Sequence, residues 1–315
     1  MEAMEKMEEQ LENRALVFIK PHAAKGQVID FVRQFLDGWG IALSEQVSVK
    51  GGEIASGGSI DRHYFAIAKT AVEQQPEQYK LPGGAKEAFR NAFKAGWEDA
   101  LADGKLLNAL GAQKRLGGVS GIELNELWKR SPQVKMAPGL YAGYFEKGGF
   151  YCINGFYPGQ REVFTAPEAE VVLFEASFDP EKLDWESFRS TVIGATDPSK
   201  AKDGSLRAQI LKDWQTLGLS AKPEMSRNGV HASAGPVEGL RERMVWLGLD
   251  PHSDPLAREL NRLGLDPAML DRLLENCTVE LAQKDGESRK GPVFDLTEDI
   301  NTSEAAALLA SARLL

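Results

Sequence analysis

A chain of 315 residues, 43% apolar and 26% charged, has the composition of a globular protein with one large domain or two modest ones. No apolar run approaches the ~18 residues of a membrane span, so a membrane-spanning protein is excluded. A net charge of −9 leaves no surplus of Lys and Arg to neutralise a nucleic-acid backbone, which argues against nucleic-acid binding but not against a small phosphorylated ligand. Cys152 and Cys277 make no disulfide framework, and four scattered histidines make no His-rich metal site. The acidic opening MEAMEKMEEQ has no apolar h-region, so a cytoplasmic protein is expected.

The first element is an apolar strand at residues 15–19, stopped by Pro21. Val28, Phe31, Val32, Phe35 and Leu36 then recur at helical spacing and predict a helix with one buried face. Gly38 and Gly40 end it, and residues 41–49 partly alternate as a second strand. A long middle section, about 66–167, follows with a helical stretch at 85–101 and a Gly-rich turn at 116–121. Its aromatic cluster, split by Gly148-Gly149, predicts a β-hairpin. Such aromatics can stack on bases, but the local cations are too few to hold a phosphate backbone, so a packed core is the favoured reading.

Residues 171–178 form another apolar strand, and Asp179-Pro180 reads as an N-cap with proline at N1. Residues 192–237 are polar and loop-rich, and 237–247 are helical. LGLDP occurs twice, at 247–251 and 263–267, with Asp250 and Asp266 as caps and proline opening a helix after each. The tail 302–315 reads as a helix capped by Thr302 or Ser303.

Chemistry concentrates in two stretches. In Asn228-Gly229-Val230-His231-Ala232-Ser233, a histidine has an amide three residues before it and a hydroxyl two after. Upstream, Gly194-Ala195-Thr196-Asp197-Pro198 leads to Lys200, Lys202 and Arg207. Hydroxyl, amide and cationic donors spread along loops suit a phosphorylated ligand. The second loop taken alone reads better as a Thr/Asp/Pro turn with solvated lysines.

Together these segments resemble the nucleoside diphosphate kinase family. GATDPSKAKDGSLR (194–207) is similar to the family's G-E-T-N-P loop running to a binding arginine, and RNGVHAS (227–233) to its R-N-I-I-H-G-S signature. Glu242, eleven residues after His231, falls where the family has a supporting glutamate. Lys20 in FIKP and the His63-Tyr64 pair resemble two further family positions, and all occur in the family's order.

The resemblance implies a ferredoxin-like α/β sandwich with an antiparallel sheet over residues 13–247. A large mixed insertion at about 66–167 interrupts it, and a helical C-terminal extension at 248–315 follows. It also implies ping-pong transfer of a γ-phosphoryl group between nucleoside tri- and diphosphates with Mg²⁺. His231 would be the nucleophile, with Glu242 and Ser233 orienting its ring. Lys20, Tyr64, Thr196, Arg207 and Asn228 would contact phosphates and ribose. The physics is compatible with those roles, because a neutral imidazole nitrogen is a nucleophile and phosphoryl transfer asks mainly for alignment and positive charge.

The sequence departs from the pattern in two places that matter. Ala232-Ser233-Ala234-Gly235 lacks an aspartate found after the family histidine. A family arginine falls on Ser190; the adjacent Arg189, displaced by ~100° on a helix, would be the phosphate contact in its place if the backbone has shifted. The alternative is a non-catalytic nucleotide-binding or scaffolding protein that uses the insertion and tail to hold a partner. The insertion's mass predicts a monomer or dimer, with the insertion closing part of the nucleotide cleft.

Overall fold

The computed structural model describes residues 11–282 and 288–315; the opening decapeptide lies outside the described residues. Its contacts divide the chain into two units, one of Met1–Val49 with Glu170–Leu315 and one of Lys50–Ala169. In chain order the strands are β1 (Asn13–Ile19), β2 (Ala42–Leu43), β3 (Val47–Lys50), β4 (Leu106–Asn108), β5 (Gln133–Ala137) and β6 (Leu140–Phe145). They continue with β7 (Phe150–Ile153), β8 (Glu170–Phe178), β9 (Val230–Ala232), β10 (Thr278–Ala282), β11 (Ser288–Pro292) and β12 (Arg313–Leu314).

In the first unit β1 is the spine. Ala15 to Ile19 are fully buried, as an apolar strand covered on both faces must be. β1 pairs antiparallel with β8 on one side, Val17 opposite Phe174, and with β9 on the other, Phe18 opposite His231. The sheet order is β2-β8-β1-β9, with β3 also on β8. The predicted helix spans Gly26–Asp37 and buries Val28, Val32 and Leu36.

The single strand expected at 41–49 is two short ones. Between them the Ser44 hydroxyl accepts from the Glu175 amide at 3.0 Å, so a side chain interrupts the ladder. Asp179-Pro180 does not start a helix. Asp179 closes an Asx turn onto the Glu181 amide, and the helical turn begins at Trp185 under an Asp184 cap. The stretch 192–237 is less irregular than expected, because Leu206 and Ile210 bury one face of a helix at Leu206–Lys212.

The C-terminal region is not purely helical: β11-β10-β12 form a three-stranded sheet. Both LGLDP aspartates cap as predicted, Asp250 onto the His252 amide and Asp266 onto that of Ala268, although the first opens only a 3₁₀ turn. The last helix, Thr302–Leu309, is preceded by Asn301 at its cap position, not Thr302 or Ser303. Thr302 is committed elsewhere, since its amide and hydroxyl both donate to Asn13 Oδ1 at 2.9 Å.

Helix Pro236–Leu247 is braced from below by Arg243, 1% exposed, whose Nη1 donates to Asp254 Oδ2 at 2.8 Å and lies 3.3 Å from Glu175. Asp254 also caps helix Pro255–Arg262 through the Leu256 amide. Asp254→Ala removes a cap and leaves a buried cation with Glu175 alone. It is expected to cost about 3 kcal/mol of stability in urea denaturation. A loss below ~1 kcal/mol would show that Glu175 suffices.

In the second unit the sheet order is β4-β7-β6-β5, with β4 parallel to β7 and the rest antiparallel. The predicted aromatic hairpin is β6–β7, turned by Gly148 and Gly149 at φ 119° and 63°. Phe145 stacks on Phe150 at 5.2 Å and Tyr151 is buried, so these rings form core. The helical stretch expected at 85–101 breaks into Ala85–Phe93 and Trp97–Ala102, with Lys94 left-handed between them. That break folds the Trp97 ring edge-on to Phe89. Among the described residues no helix is long and apolar enough to cross a membrane.

Candidate active site

His231 stands at the centre of β9, whose partner β1 carries Phe18 directly opposite. The Phe18 ring stacks on the imidazole with centroids 4.6 Å apart and fixes its plane. From β9 the chain turns through Ser233 to Gly235 into helix Pro236–Leu247, which brings Glu242 back over the strand. Glu242 Oε1 lies 2.7 Å from His231 Nε2, and its Oε2 accepts from Ser233 Oγ at 2.6 Å. Ser233 Oγ in turn accepts from the Leu16 amide at 2.8 Å, which ties the triad to β1.

An ionised carboxylate only accepts, so Nε2 must carry the ring proton and Nδ1 the lone pair. Burial, then the charges of Lys20, Arg207 and Arg189, pull the His231 pKa well below the usual histidine value. The imidazole is therefore neutral at pH 7, and its side chain is still 19% exposed. An imidazole held in one plane and kept neutral is what nucleophilic catalysis asks of histidine.

Two cations flank the ring. Lys20 follows β1, with its amide bonded to the Gly229 carbonyl at 2.9 Å, and burial followed by the Arg207 charge lowers its ammonium pKa to about 8. Arg207, 8% exposed, donates from Nη1 to the Gly194 carbonyl at 2.8 Å and from Nη2 to that of Val230 at 3.1 Å. It thus staples the 194–198 loop to β9 and delivers charge at the same time. The loop closes on it because Gly194 has φ 87°, and a Cβ there would sit 2.3 Å from Ser205 Oγ.

Asn228, 1% exposed, donates to the Thr196 carbonyl at 2.9 Å and joins the two polar loops, while the Thr196 side chain is exposed. His22 Nε2 accepts from the Gly229 amide at 3.2 Å, and burial ahead of the neighbouring Arg227 and Lys20 charges lowers its pKa to about 4. Its role is to hold the Gly229 turn.

Arg189 makes ion pairs from Nη1 to Glu298 at 2.5 Å and to Asp299 at 2.8 Å, and its charge is still felt at His231. Tyr64 belongs to the second unit, where it follows helix Ser59–His63, meets the His63 ring edge-on at 4.4 Å and packs on that unit's core. The first unit therefore gathers His231, Glu242, Ser233, Lys20, Arg207, Asn228 and the Thr196 backbone.

Sequence reasoning missed Glu238, one helical turn before Glu242. Its Oε2 accepts from the Ala234 amide at 3.1 Å, and burial with the Glu242 charge raises its pKa well above the carboxylate range. The i, i+4 spacing of the two glutamates was the available signal. Glu298 and Asp299 were also missed, and no local pattern announces them.

No family model matches the chain, and no curated protein matches it. Solved structures do resemble it. An apo nucleoside diphosphate kinase from Encephalitozoon cuniculi matches at TM-score 0.37 and 14% identity over 77% of this chain and 92% of that one. One from Borrelia burgdorferi, with bound vanadate and ADP, matches at TM-score 0.35 and 14% identity over 75% and 87%. An NDP kinase from Pyrobaculum aerophilum matches at TM-score 0.34 and 18% identity over 75% and 96%.

Proposed function

We propose that this chain is a nucleoside diphosphate kinase-like phosphotransferase that moves the γ-phosphoryl group of a nucleoside triphosphate to a nucleoside diphosphate through a phosphohistidine at His231. The observation that carries this reading is the Glu242 contact at Nε2, which puts the ring proton on Nε2 and the nucleophilic lone pair on Nδ1. The Nδ1 lone pair attacks the γ-phosphorus, the bond to the bridging oxygen breaks, and the diphosphate leaves with that electron pair. Glu242 stabilises the positive charge that develops on the ring. Lys20 and Arg207 offset charge on the phosphoryl oxygens, with Asn228 and Thr196 as further ligand contacts. The second half-reaction is the reverse, with the acceptor diphosphate as nucleophile.

Strand order supports a ferredoxin-like arrangement, since β2-β8-β1-β9 is antiparallel throughout with β1 and β8 at its centre. Mg²⁺ enters as part of the substrate, on the phosphate oxygens. Glu242 already holds His231 and Ser233, and burial beside the Glu242 charge favours the protonated form of Glu238. The reading keeps residues 13–247 as the kinase-like domain, with the insertion and the extension as additions, and a monomer or dimer in the cytoplasm. Light scattering that gives one or two chains per particle is the expected result for the assembly.

The test is incubation of purified protein with γ-labelled ATP and Mg²⁺. The protein should retain a label that is lost in acid, survives base and passes to added GDP. Protein that binds ATP yet never takes up label would be a nucleotide-binding scaffold.

The pH dependence follows from Lys20. An anionic ligand favours the ammonium form, so binding requires proton uptake once the pH exceeds the free-site pKa of about 8. ATP affinity measured calorimetrically should be flat from pH 6.5 to 7.5 and weaken as pH rises through about 8. In Lys20→Met the affinity should be lower at neutral pH and the step absent; a step that persists would assign it to another group.

A further inference from the structure

The segment that holds Arg189 comes from the far end of the chain and is fitted closely to the residues that follow His231. The Asp299 amide donates to the Ala234 carbonyl at 3.1 Å. A Cβ on Gly235 would sit 2.4 Å from the Thr297 carbonyl oxygen and 3.2 Å from the Glu298 Cα, so glycine is what lets the two backbones meet. Thr297 is fully buried and donates from Oγ1 to the Val293 carbonyl at 2.8 Å. Asn301 Oδ1 accepts from Asn13 Nδ2 at 2.8 Å and from the Trp185 amide at 3.0 Å. Residues 297–301 are thus anchored on both sides of the acidic pair, and Asp299 adopts φ 63° between those anchors.

Both carboxylates converge on one nitrogen, Arg189 Nη1, while Nε and Nη2 make no hydrogen bond among the described residues. One guanidinium shared by two carboxylates leaves a net negative charge. The Arg189 charge reaches His231 and Glu238, so the trio lies within electrostatic range of the nucleophile. The trio is partly exposed, 31% for the arginine and 42–43% for the acids.

We propose that Glu298 and Asp299 are specificity-determining residues of the His231 site: by gripping Arg189 they limit the anionic charge the site accepts and so set its preference among tri-, di- and monophosphates. This rests on the phosphotransferase reading above. An incoming phosphate chain competes with the carboxylates for Arg189 and is repelled by them, and both effects grow with the charge of the chain. The pair therefore penalises a triphosphate more than a diphosphate, and a monophosphate least.

The test is the double variant Glu298→Gln/Asp299→Asn. Its amides keep the shape and the acceptor oxygens, and asparagine tolerates the left-handed backbone of Asp299. Dissociation constants for ATP, ADP and AMP are measured by calorimetry for the wild type, the double variant, Arg189→Ala and the triple variant. ATP should bind about tenfold tighter to the double variant, ADP about threefold and AMP unchanged, with the gain shrinking in high salt. Initial rates should show a lower KM for ATP with kcat little altered. Arg189→Ala should weaken ATP binding, and in the triple variant only the smaller part of the gain that comes from lost repulsion should remain, and high salt should remove it.

A structural effect alone would move all three nucleotides together. Equal shifts, no shift in the double variant while the wild type binds ATP, or a gain undiminished without Arg189 would each overturn the assignment. Failure of every version to bind ATP would overturn both this inference and the phosphotransferase reading.

Discussion

His231→Ala should take up no label from γ-labelled ATP and form ADP only at background, more than about 10³-fold slower than wild type. The ring lies over Phe18 at the edge of the sheet and is not core, so the variant should keep its circular dichroism spectrum and cooperative unfolding. The wild-type label should sit on Nδ1, because Glu242 occupies Nε2 at 2.7 Å. Degradation of the phosphoenzyme to phosphohistidine should therefore return the Nδ1 isomer. The Nε2 isomer would require Glu242 to leave the ring and would break the proposed mechanism. His22 supplies the control. Its Nε2 lone pair is committed to the Gly229 amide, so it is no competing nucleophile. His22→Ala should still be labelled, with weaker ATP binding from a loosened 229 turn. Label that persists in His231→Ala and disappears in His22→Ala would exchange the two roles.

The elements that were legible in the sequence are those whose information is local. β1 announced itself as an apolar run, the first helix by its buried stripe, the β6–β7 hairpin by aromatics flanking Gly148-Gly149, and Asp250 and Asp266 by the proline after each. Elements that depend on distant partners were not. β4 is three residues long and exists because β7 lies beside it in parallel, and β10 has its partners in β11 and β12. Asn301 displaces Thr302 at the cap because Thr302 is drawn to Asn13, which lies 289 positions away in the chain.

The same division runs through the site. His231, Ser233 and Glu242 lie within eleven residues on a strand, a turn and a helix, so one short motif holds all three and the structure joins them by hydrogen bonds. Arg207 was read as a phosphate ligand, but its second function, bonding two backbone carbonyls, depends on how the Gly194 loop folds back. The partners of Arg189 lie 109 and 110 residues away. No spacing rule reaches that far, and the arginine's environment became visible only in three dimensions.

Glu242→Ala should slow formation of the phosphoenzyme by about 10²–10³-fold, while Glu242→Gln loses distinctly less. The carboxylate, 3% exposed, does two things at once. It accepts from Nε2 and so keeps the lone pair on Nδ1, and its charge stabilises the ring as that nitrogen bonds to phosphorus. Alanine removes both, freeing the ring to shift its proton to Nδ1 and leaving the Ser233 hydroxyl without its acceptor at Oε2. Glutamine can keep the first function. Its carbonyl oxygen can face Nε2 while its amide donates to Ser233 Oγ, which turns its own proton to the Leu16 carbonyl, 3.3 Å away. Only the charge is then lost, and the cost should fall on the rate of phosphorylation and not on ATP affinity. Single-turnover labelling beside equilibrium binding separates the two. Equal losses for Gln and Ala would mean that charge alone matters. A glutamine variant worse than alanine would mean that its amide turns toward the ring, forces the proton onto Nδ1 and removes the nucleophile.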